Sequence, residues 1–412
     1  MISLFKALRA AGSDARIATH GGTHESLLNG EGIPYDIVGP RMSEERCRRF
    51  RAEGPGIGRP DQSFYGHDEM RTYVLAEAEY FRQHGVRAAV TGFTLTALLS
   101  SRLVGIPVVA EHAGCYLPPL FERGLLPAAS RSPAPMFDYM PRRLARFLQN
   151  KGAARNKIHI GGFNALAAEL GVEPIPSFPA LLMGDLTLVT EAPEVLGVSE
   201  TEMMAWRPAA GLYRPSTRLQ YGGPIFAELD LPIPQHVESA LNGGRPIIYV
   251  ALTSTTPDVV RSVVNELSAL DARIVVAGTI HDLSGLAKAN VTVGGVLPSQ
   301  KIMPRVDLAV TTGGQGSLQC AMASGAPVVA IPLQPEQDAN IHFLVKAGAA
   351  RSIPLKEVGA GSLAPIVRQM LGQPEFRAAA RRIQAAYARR DGPRSSAEAI
   401  LNFIAPQARE AA

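Results

Sequence analysis

Residues 306–340, VDLAVTTGGQGSLQCAMASGAPVVAIPLQPEQDAN, decide the fold class of this 412-residue chain. Their β-branched runs and glycine punctuation predict a strand over 306–312, a turn over 313–316, a helix over 317–324 closed by Gly325, and a second strand over 326–332. This order is the alternation of strand and helix that builds a parallel sheet.

The same order of strand, polar turn and helix recurs along the chain. In the second half, further strands are predicted over 245–252, 273–278 and 291–296, with helices over 375–390 and 395–404 near the end. In the first half, strands are predicted over 15–19, 88–91 and 107–111, with a helix over 73–84. Glycine and proline cluster in 221–234, where one half passes into the other. The expected fold class is therefore α/β, with two parallel-sheet halves.

Composition and charge exclude several classes of protein. Hydrophobic residues make up 46% and charged residues 19% of the chain, which excludes a disordered, collagen-like or coiled-coil protein. The net charge of +4 is too dilute to indicate a nucleic-acid partner. Cys47, Cys115 and Cys320 share no CxxC spacing, so neither a disulfide scaffold nor a zinc site is expected. Because no bilayer-spanning stretch or signal-peptide pattern is seen, a cytoplasmic location is expected.

Two loops at predicted strand ends carry groups that suit a ligand, and ligands of parallel sheets bind at such ends. The turn 312–317, TGGQGS, combines close backbone approach with the unpaired N–H groups of a helix start, and Thr253 and Ser254 follow another strand. Together they would hold a diphosphate. The loop 332–340 bunches a carboxylate with amides, which suit sugar hydroxyls. Taken singly, each loop has a plainer interpretation: the glycines serve packing, and the polar loop is solvated.

In this order and spacing, residues 306–340 closely resemble the nucleotide-sugar signature of the UDP-glycosyltransferase-like family, which includes natural-product and sterol glycosyltransferases. Similar segments are TEAPE at 190–194, YGGP at 221–224 and GVLP at 295–298. The resemblance implies the GT-B fold, in which two Rossmann-like domains face each other across a cleft. The implied domains are an acceptor-binding domain over 1–222, a nucleotide-sugar-binding domain over 223–390, and a C-terminal helix over 391–412 that packs back toward the first.

The resemblance also implies a donor site. The turn before Ser317 would hold the diphosphate with help from Ser254, the loop 296–299 would border the base, and Glu336 with Gln337 would bind the transferred sugar. The full set of implied donor-binding residues is Ser254, Val296, Leu297, Ser299, Thr312, Gly313, Gly314, Gln315, Gly316, Ser317, Glu336, Gln337 and Asn340.

Three positions depart from the family pattern. Thr312 stands where the family usually has a histidine, Cys320 where many members have a glutamate for the ribose, and Val296 where a base-stacking aromatic residue is common. The donor base is therefore left open among uridine, thymidine and guanosine. Cys320 is expected to be a packing residue rather than a reactive thiol.

The chain also departs from the family at its start. Family members open with a strand and a glycine-rich loop carrying His or Asp, whereas Met1 falls where the family's first helix begins. The missing strand would be central in the first sheet, so its absence is expected to leave backbone groups unpaired and an apolar edge exposed. We interpret the start as a misassigned codon or a truncated sequence.

The catalytic base has no clear candidate in the sequence. The family's usual base is absent, and the segment 91–93, TGF, lacks the helper carboxylate expected there. His112 is the candidate base and, with Tyr116, a candidate acceptor contact, although a structural histidine is the plainer interpretation. His24 fits a solvated helix start. The apolar loop 116–121 would either cover a lipophilic acceptor or pack in the core.

The sequence thus predicts transfer of a hexose, with inversion and without metal, from a UDP- or dTDP-sugar to a hydroxyl of a lipophilic small molecule or lipid. No cofactor is expected besides this co-substrate. The basic, partly apolar run 142–155 predicts an amphipathic helix that would touch anionic lipid or would simply be solvated. Two alternatives are kept: a nucleotide-sugar epimerase, and a non-catalytic nucleotide-sugar-binding protein or partner subunit.

Overall fold

A computed structural model describes residues 1–22, 25–53, 63–130, 137, 139–226, 231–244, 246–252, 255–278 and 283–410. Its strands are β1 Ile17–Thr19, β2 Tyr35–Ile37, β3 Ala89–Thr91, β4 Val108–His112, β5 Leu186–Val189, β6 Arg218–Tyr221, β7 Ile247–Ala251, β8 Arg273–Ala277, β9 Val291–Gly294, β10 Leu308–Thr311, β11 Val328–Ala330 and β12 Ala350–Ser352.

The helices of the first half are α1 Ile2–Ala10, α2 Glu25–Gly30, α3 Glu44–Glu53, α4 His67–Gln83, α5 Ala97–Val104, α6 Pro118–Glu122, α7 Arg142–Ala153, α8 Gly161–Leu170, α9 Phe178–Leu181, α10 Pro193–Leu196 and α11 Glu200–Ala205. Those that follow are α12 Gln235–Leu241, α13 Pro257–Leu267, α14 Ser299–Ile302, α15 Gln315–Ala323, α16 Pro335–Lys346, α17 Leu363–Gly372, α18 Pro374–Ala388 and α19 Gly392–Glu410.

The second half forms one parallel six-stranded sheet in the order β12-β11-β10-β7-β8-β9. Its central strands, β7 and β10, are buried at every position because both faces of the sheet are covered. Along β7, Ile248 and Val250 enter one core cluster while Tyr249 and Ala251 enter the other. The strands and helices predicted here are confirmed, with ends that differ by a few residues. The edge strand β12, in which two of the three residues are exposed, was not predicted.

The first half is a parallel sheet in two pieces. Strands β3-β4-β5-β6 form a four-stranded sheet, and β1 pairs only with β2. Within the described residues, no strand joins β1 to β3, so each keeps one open edge. At this break Ala18 in β1 is exposed and Val90 and Thr91 in β3 are half-buried, whereas the β4 strand next to β3 is mostly buried. The open edge that the sequence predicts is therefore seen at this break.

A hydrogen bond between His20 and the buried Glu77 ties the two pieces together. His20 follows β1, and its Nε2 lies 2.6 Å from Oε1 of Glu77 on α4, while its Nδ1 lies 2.9 Å from the Val38 carbonyl. Glu77 also accepts hydrogen bonds from Thr96 and Ser100 at and within α5. Burial lowers the pKa of His20, but the hydrogen bond and charge of Glu77 outweigh this and raise it above its ordinary value. His20 thus bridges β1 to helices α4 and α5 through Glu77.

The last helix, α19, packs against the first half. Ala397 and Ile400 share a cluster with Leu4 of α1 and with Val109 and Leu188 of the four-stranded sheet. The domain limits predicted from the sequence, 1–222, 223–390 and 391–412, stay predictions.

Glu191 joins the two halves through a buried hydrogen-bond network. It follows β5, and its carboxylate accepts from Tyr387 of α18 at 2.5 Å, from Gln319 of α15 at 3.3 Å and from the Ala192 amide at 2.8 Å. Burial raises the pKa of Glu191 to about 7, although these hydrogen bonds oppose the shift. The carboxyl group between the halves therefore changes charge near neutral pH.

Glu191 should make the stability of the protein depend on pH. A folded pKa of about 7 against an ordinary 4.5 means that the folded state binds the proton more tightly, so the free energy of unfolding falls as pH rises between these values. We expect Glu191→Gln to remove about 3 kcal/mol of this decline. Urea unfolding at about pH 5 and about pH 8 measures it. A stability difference between variant and wild type that is the same at both pH values would contradict the shifted carboxyl.

Candidate active site

A glycine turn at the end of β10 leads into α15. Gly313 has a φ of +89°, and a Cβ atom placed on it would lie 3.2 Å from the backbone oxygen of Gln337. Both the left-handed backbone and the neighbouring chain therefore require glycine here. No side chain caps the helix at Gly314, so the first-turn amides of α15 have no partner within the helix. The turn presents these N–H groups to an anion.

The helix begins two residues earlier than predicted, and this changes the roles of its first residues. Gln315 and Gly316 lie in the first turn of α15 rather than in the loop. A Cβ atom on Gly314 or Gly316 would meet nothing within 4 Å, so the space beside the turn is open. Gln315, however, points to the first half, where its Nε2 donates to Oγ1 and O of Thr190 at 3.0 and 3.1 Å. Its predicted role as a donor ligand stays a prediction.

The first turn of α16 lies against the glycine turn. Asn340 donates from Nδ2 to Oε1 of Glu336 at 3.1 Å and to the Gly313 carbonyl at 3.4 Å. Burial raises the pKa of Glu336, against the hydrogen bond from Asn340 that lowers it. Three predicted donor residues, Gly313, Glu336 and Asn340, are therefore brought together. Gln337 is buried instead, and its Oε1 accepts the Leu333 amide at 2.7 Å, which shapes the loop.

The other predicted donor residues differ in their exposure and in their contacts. Val296 is 52% exposed, whereas Leu297 is buried against Gly294. The Oγ of Ser299 lies 2.8 Å from the hydroxyl of Tyr249. Thr312 is buried at the end of β10, and Ser317 is half-buried in α15. Ser254 and His24 lie outside the described residues.

Cys320 is half-buried in α15, one turn beyond Gly316. Burial raises the pKa of its thiol to about 11, so the thiol is protonated at neutral pH. Its expected role in packing agrees with its contact with the large core cluster.

The environment of His112, the predicted base, weakens its basicity. It is buried at the end of β4, and its Nδ1 accepts the Gly114 amide at 2.9 Å. Burial lowers the pKa of His112 to about 4, so the ring is neutral at neutral pH and its proton sits on Nε2. Because the lone pair of Nδ1 is already used, this geometry disfavours His112 as a base. Its catalytic role stays a prediction.

Tyr116, in the loop after His112, lies within electrostatic range of the first turn of α16. Burial raises the pKa of Tyr116, and the negative charges of Glu336 and Asp338 add to the shift, which places this side chain near both carboxylates. Asp338 in turn accepts from the amide and hydroxyl of Ser130 at 2.8 and 2.6 Å. The candidate acceptor loop and the candidate sugar site are therefore adjacent.

Two functional candidates were missed by sequence reasoning, Glu111 and Thr190. The Thr190 hydroxyl lies 3.1 Å from Oε1 of Glu111, and Oε2 of Glu111 lies 3.2 Å from where a Cβ atom on Gly92 would stand. A carboxylate thus lies beside the segment 91–93, although that segment supplies none. The available signal was the position of Glu111 at the end of the predicted strand 107–111.

Neither a metal centre nor a membrane-spanning helix is found among the described residues. In this part of the chain, no three His, Cys, Asp or Glu side chains are grouped to hold a metal ion, and metal-independent transfer stays a prediction. In the same part, no helix is both long and apolar enough to cross a bilayer.

Comparisons with known proteins agree with the geometry. Residues 261–403 match the family model of the erythromycin biosynthesis protein CIII-like C-terminal domain. A PGL/p-HBAD biosynthesis glycosyltransferase of Mycobacterium tuberculosis is 26% identical over 79% of this chain and 72% of its own. The 4'-demethylrebeccamycin synthase of Lentzea aerocolonigenes is 30% identical over 40% of each chain.

The solved structure of the glycosyltransferase VinC in complex with DTDP superimposes with a TM-score of 0.64 and 18% identity, over 98% of this chain and 95% of that one. At this identity the likeness shows the fold, which agrees with the parallel sheets described above. The named relatives show the activity and favour a transferase over the epimerase and the non-catalytic alternatives. The chain is therefore a glycosyltransferase with the GT-B fold, and it is similar to natural-product members of the UDP-glycosyltransferase-like family.

Proposed function

We propose that this glycosyltransferase moves a hexose from a UDP- or dTDP-sugar to a hydroxyl of a lipophilic small molecule or lipid, with inversion at the anomeric carbon and without metal or cofactor. The observation that carries the proposal is the open first turn of α15 behind Gly313, with Glu336 and Asn340 beside it. The VinC structure, solved in complex with DTDP, supports a nucleoside diphosphate as part of the donor.

In this function the α15 amides would stabilise the diphosphate as it leaves, because negative charge grows on its oxygen when the glycosidic bond breaks. Glu336 and Asn340 would hold sugar hydroxyls, one accepting and one donating. The loop containing Tyr116 would place the acceptor on the other side of the sugar, since Tyr116 lies within electrostatic range of Glu336 and Asp338. Inversion follows from attack on the face opposite to the leaving diphosphate.

The proposed binding of the sugar by Glu336 can be tested separately from the proposed binding of the diphosphate by the glycine turn. We expect Glu336→Gln to weaken binding of dTDP-glucose and UDP-glucose by roughly tenfold or more, because a charged hydrogen bond to the sugar is lost. Binding of dTDP and UDP should change little. Isothermal titration calorimetry measures all four, with Glu375→Gln, in the first turn of α18, as the matched control. Equal losses for sugar-linked and bare nucleotides would remove Glu336 from the sugar pocket.

We further propose that α7 touches an anionic membrane and that the acceptor side faces it. At 100° per residue, Arg143, Leu144, Phe147, Leu148 and Lys151 share one face of α7, and all five are exposed. Phe147 is 56% exposed and Leu144 is 45% exposed, so these apolar side chains do not pack in the core. Residues 139–168 contain no Asp or Glu. An apolar surface flanked by cations is typical of helices that lie in a lipid headgroup layer.

The docking of α7 can be measured with vesicles. Arg143→Gln with Lys151→Gln should reduce binding to phosphatidylglycerol vesicles by roughly thirtyfold, because each basic residue near such a surface contributes about 1 kcal/mol. The control pair, Arg368→Gln with Arg382→Gln, removes the same charge from exposed positions on α17 and α18. Co-sedimentation is the measurement. Equal losses for the two pairs, or equal binding to phosphatidylcholine vesicles, would contradict the proposal.

A further inference from the structure

The carboxylate of Glu111 stands at the carboxyl end of β4, on the side of the first half that meets α15. The Thr190 hydroxyl, shared with the His112 carbonyl at 3.3 Å, lies 3.1 Å from Oε1 of Glu111. The same Thr190 oxygen accepts Nε2 of Gln315 at 3.0 Å. Glu111 is therefore two hydrogen bonds away from the first turn of α15, where the diphosphate is proposed to lie.

The other carboxylate oxygen of Glu111 is not engaged. Among the described residues, Oε2 has no hydrogen-bond partner, and the side chain is only partly buried. Oε2 lies 3.2 Å from the position of a Cβ atom on Gly92, so the missing side chain at Gly92 leaves the room that this oxygen occupies. A carboxylate group with one oxygen held in place and the other open is suited to accept a proton.

The neighbouring ionisable groups are less suited to this task. His112 points to the opposite face of β4 and uses its Nδ1 lone pair on the Gly114 amide. Cys115 is buried, and burial raises the pKa of its thiol well above the ordinary value. Glu191 is fully engaged by Tyr387, Gln319 and its own loop. Glu336 is tied to Asn340 on the sugar side of the site.

We propose that Glu111 is the general base of the transfer, an inference that rests on the proposed function. The acceptor hydroxyl gives its proton to Oε2 of Glu111 as its oxygen bonds to the anomeric carbon. The bond from that carbon to the diphosphate oxygen breaks, and its electron pair leaves on the diphosphate. Thr190 acts as a positioning residue, because its hydrogen bonds fix Oε1 with respect to α15.

The proposal is tested by comparing acceptors that do and do not need a base. An aliphatic alcohol must lose its proton during attack, whereas 2-chloro-4-nitrophenol is already ionised at neutral pH. With dTDP-glucose or UDP-glucose as donor, Glu111→Gln should lower kcat for the alcohol by about a thousandfold and leave transfer to the nitrophenolate nearly unchanged. Nucleotide affinity, measured by calorimetry, should not change. Glu357→Gln, which alters a half-buried glutamate of the second half, is the matched control.

Each outcome decides the assignment. Equal losses for the alcohol and the nitrophenolate would make Glu111 a positioning residue only, and no loss for either would remove it from the reaction. Transfer by the wild-type chain to neither acceptor would overturn the proposed function and this assignment with it. Gly92→Ala gives an independent check: its methyl group would crowd Oε2, so it should lower the alcohol rate more than the nitrophenolate rate.

Discussion

The hydrogen bonds between Thr190 and the first turns of α15 fix this helix against the first half of the chain. Gln315 and Gln319 both donate to the Thr190 carbonyl, and both belong to the helix whose amides would hold the diphosphate. Transfer requires the acceptor oxygen and the anomeric carbon to meet within about 3 Å. Since the two substrates are expected on different sheets, contacts that fix one sheet against the other set the reacting distance. The rest of the site depends on these bonds.

Burial of Glu336 governs the electrostatics of the proposed sugar site. Glu336 sits in the first turn of α16, where the helix dipole favours a negative charge, yet burial raises the pKa of this carboxyl. Asn340 supplies one hydrogen bond, which does not offset the desolvation. A ligand hydroxyl that donates to Glu336 would supply another and favour the ionised form. A sugar hydroxyl at this position would thus oppose the effect of burial on the pKa of Glu336.

The sequence predicted the elements that follow from local patterns. The stretch 306–340 gave the turn at Gly313 and the neighbourhood of Glu336, because short spacing and sheet topology bring them together. Side-chain directions were not predictable in this way. Gln337 turned out to be buried on the Leu333 amide, although its chemistry suited a sugar. Glu111 and Thr190 are 79 residues apart in the sequence, and no local sequence pattern predicts a contact over that separation.

Helix α7 is connected to the first turn of α16 through the segment that follows α6. The inward face of α7 is polar: Asn150 binds the backbone of Leu126, and Arg146 binds the Gly124 carbonyl. Gln149 accepts the Ala129 amide, and the next residue, Ser130, binds Asp338 of α16. The inward face thus holds the chain that runs from α6 to the sugar site. Because those backbone groups are paired with the polar side chains on the inward face, the exposed apolar residues Leu144, Phe147 and Leu148 lie on the outer face of α7.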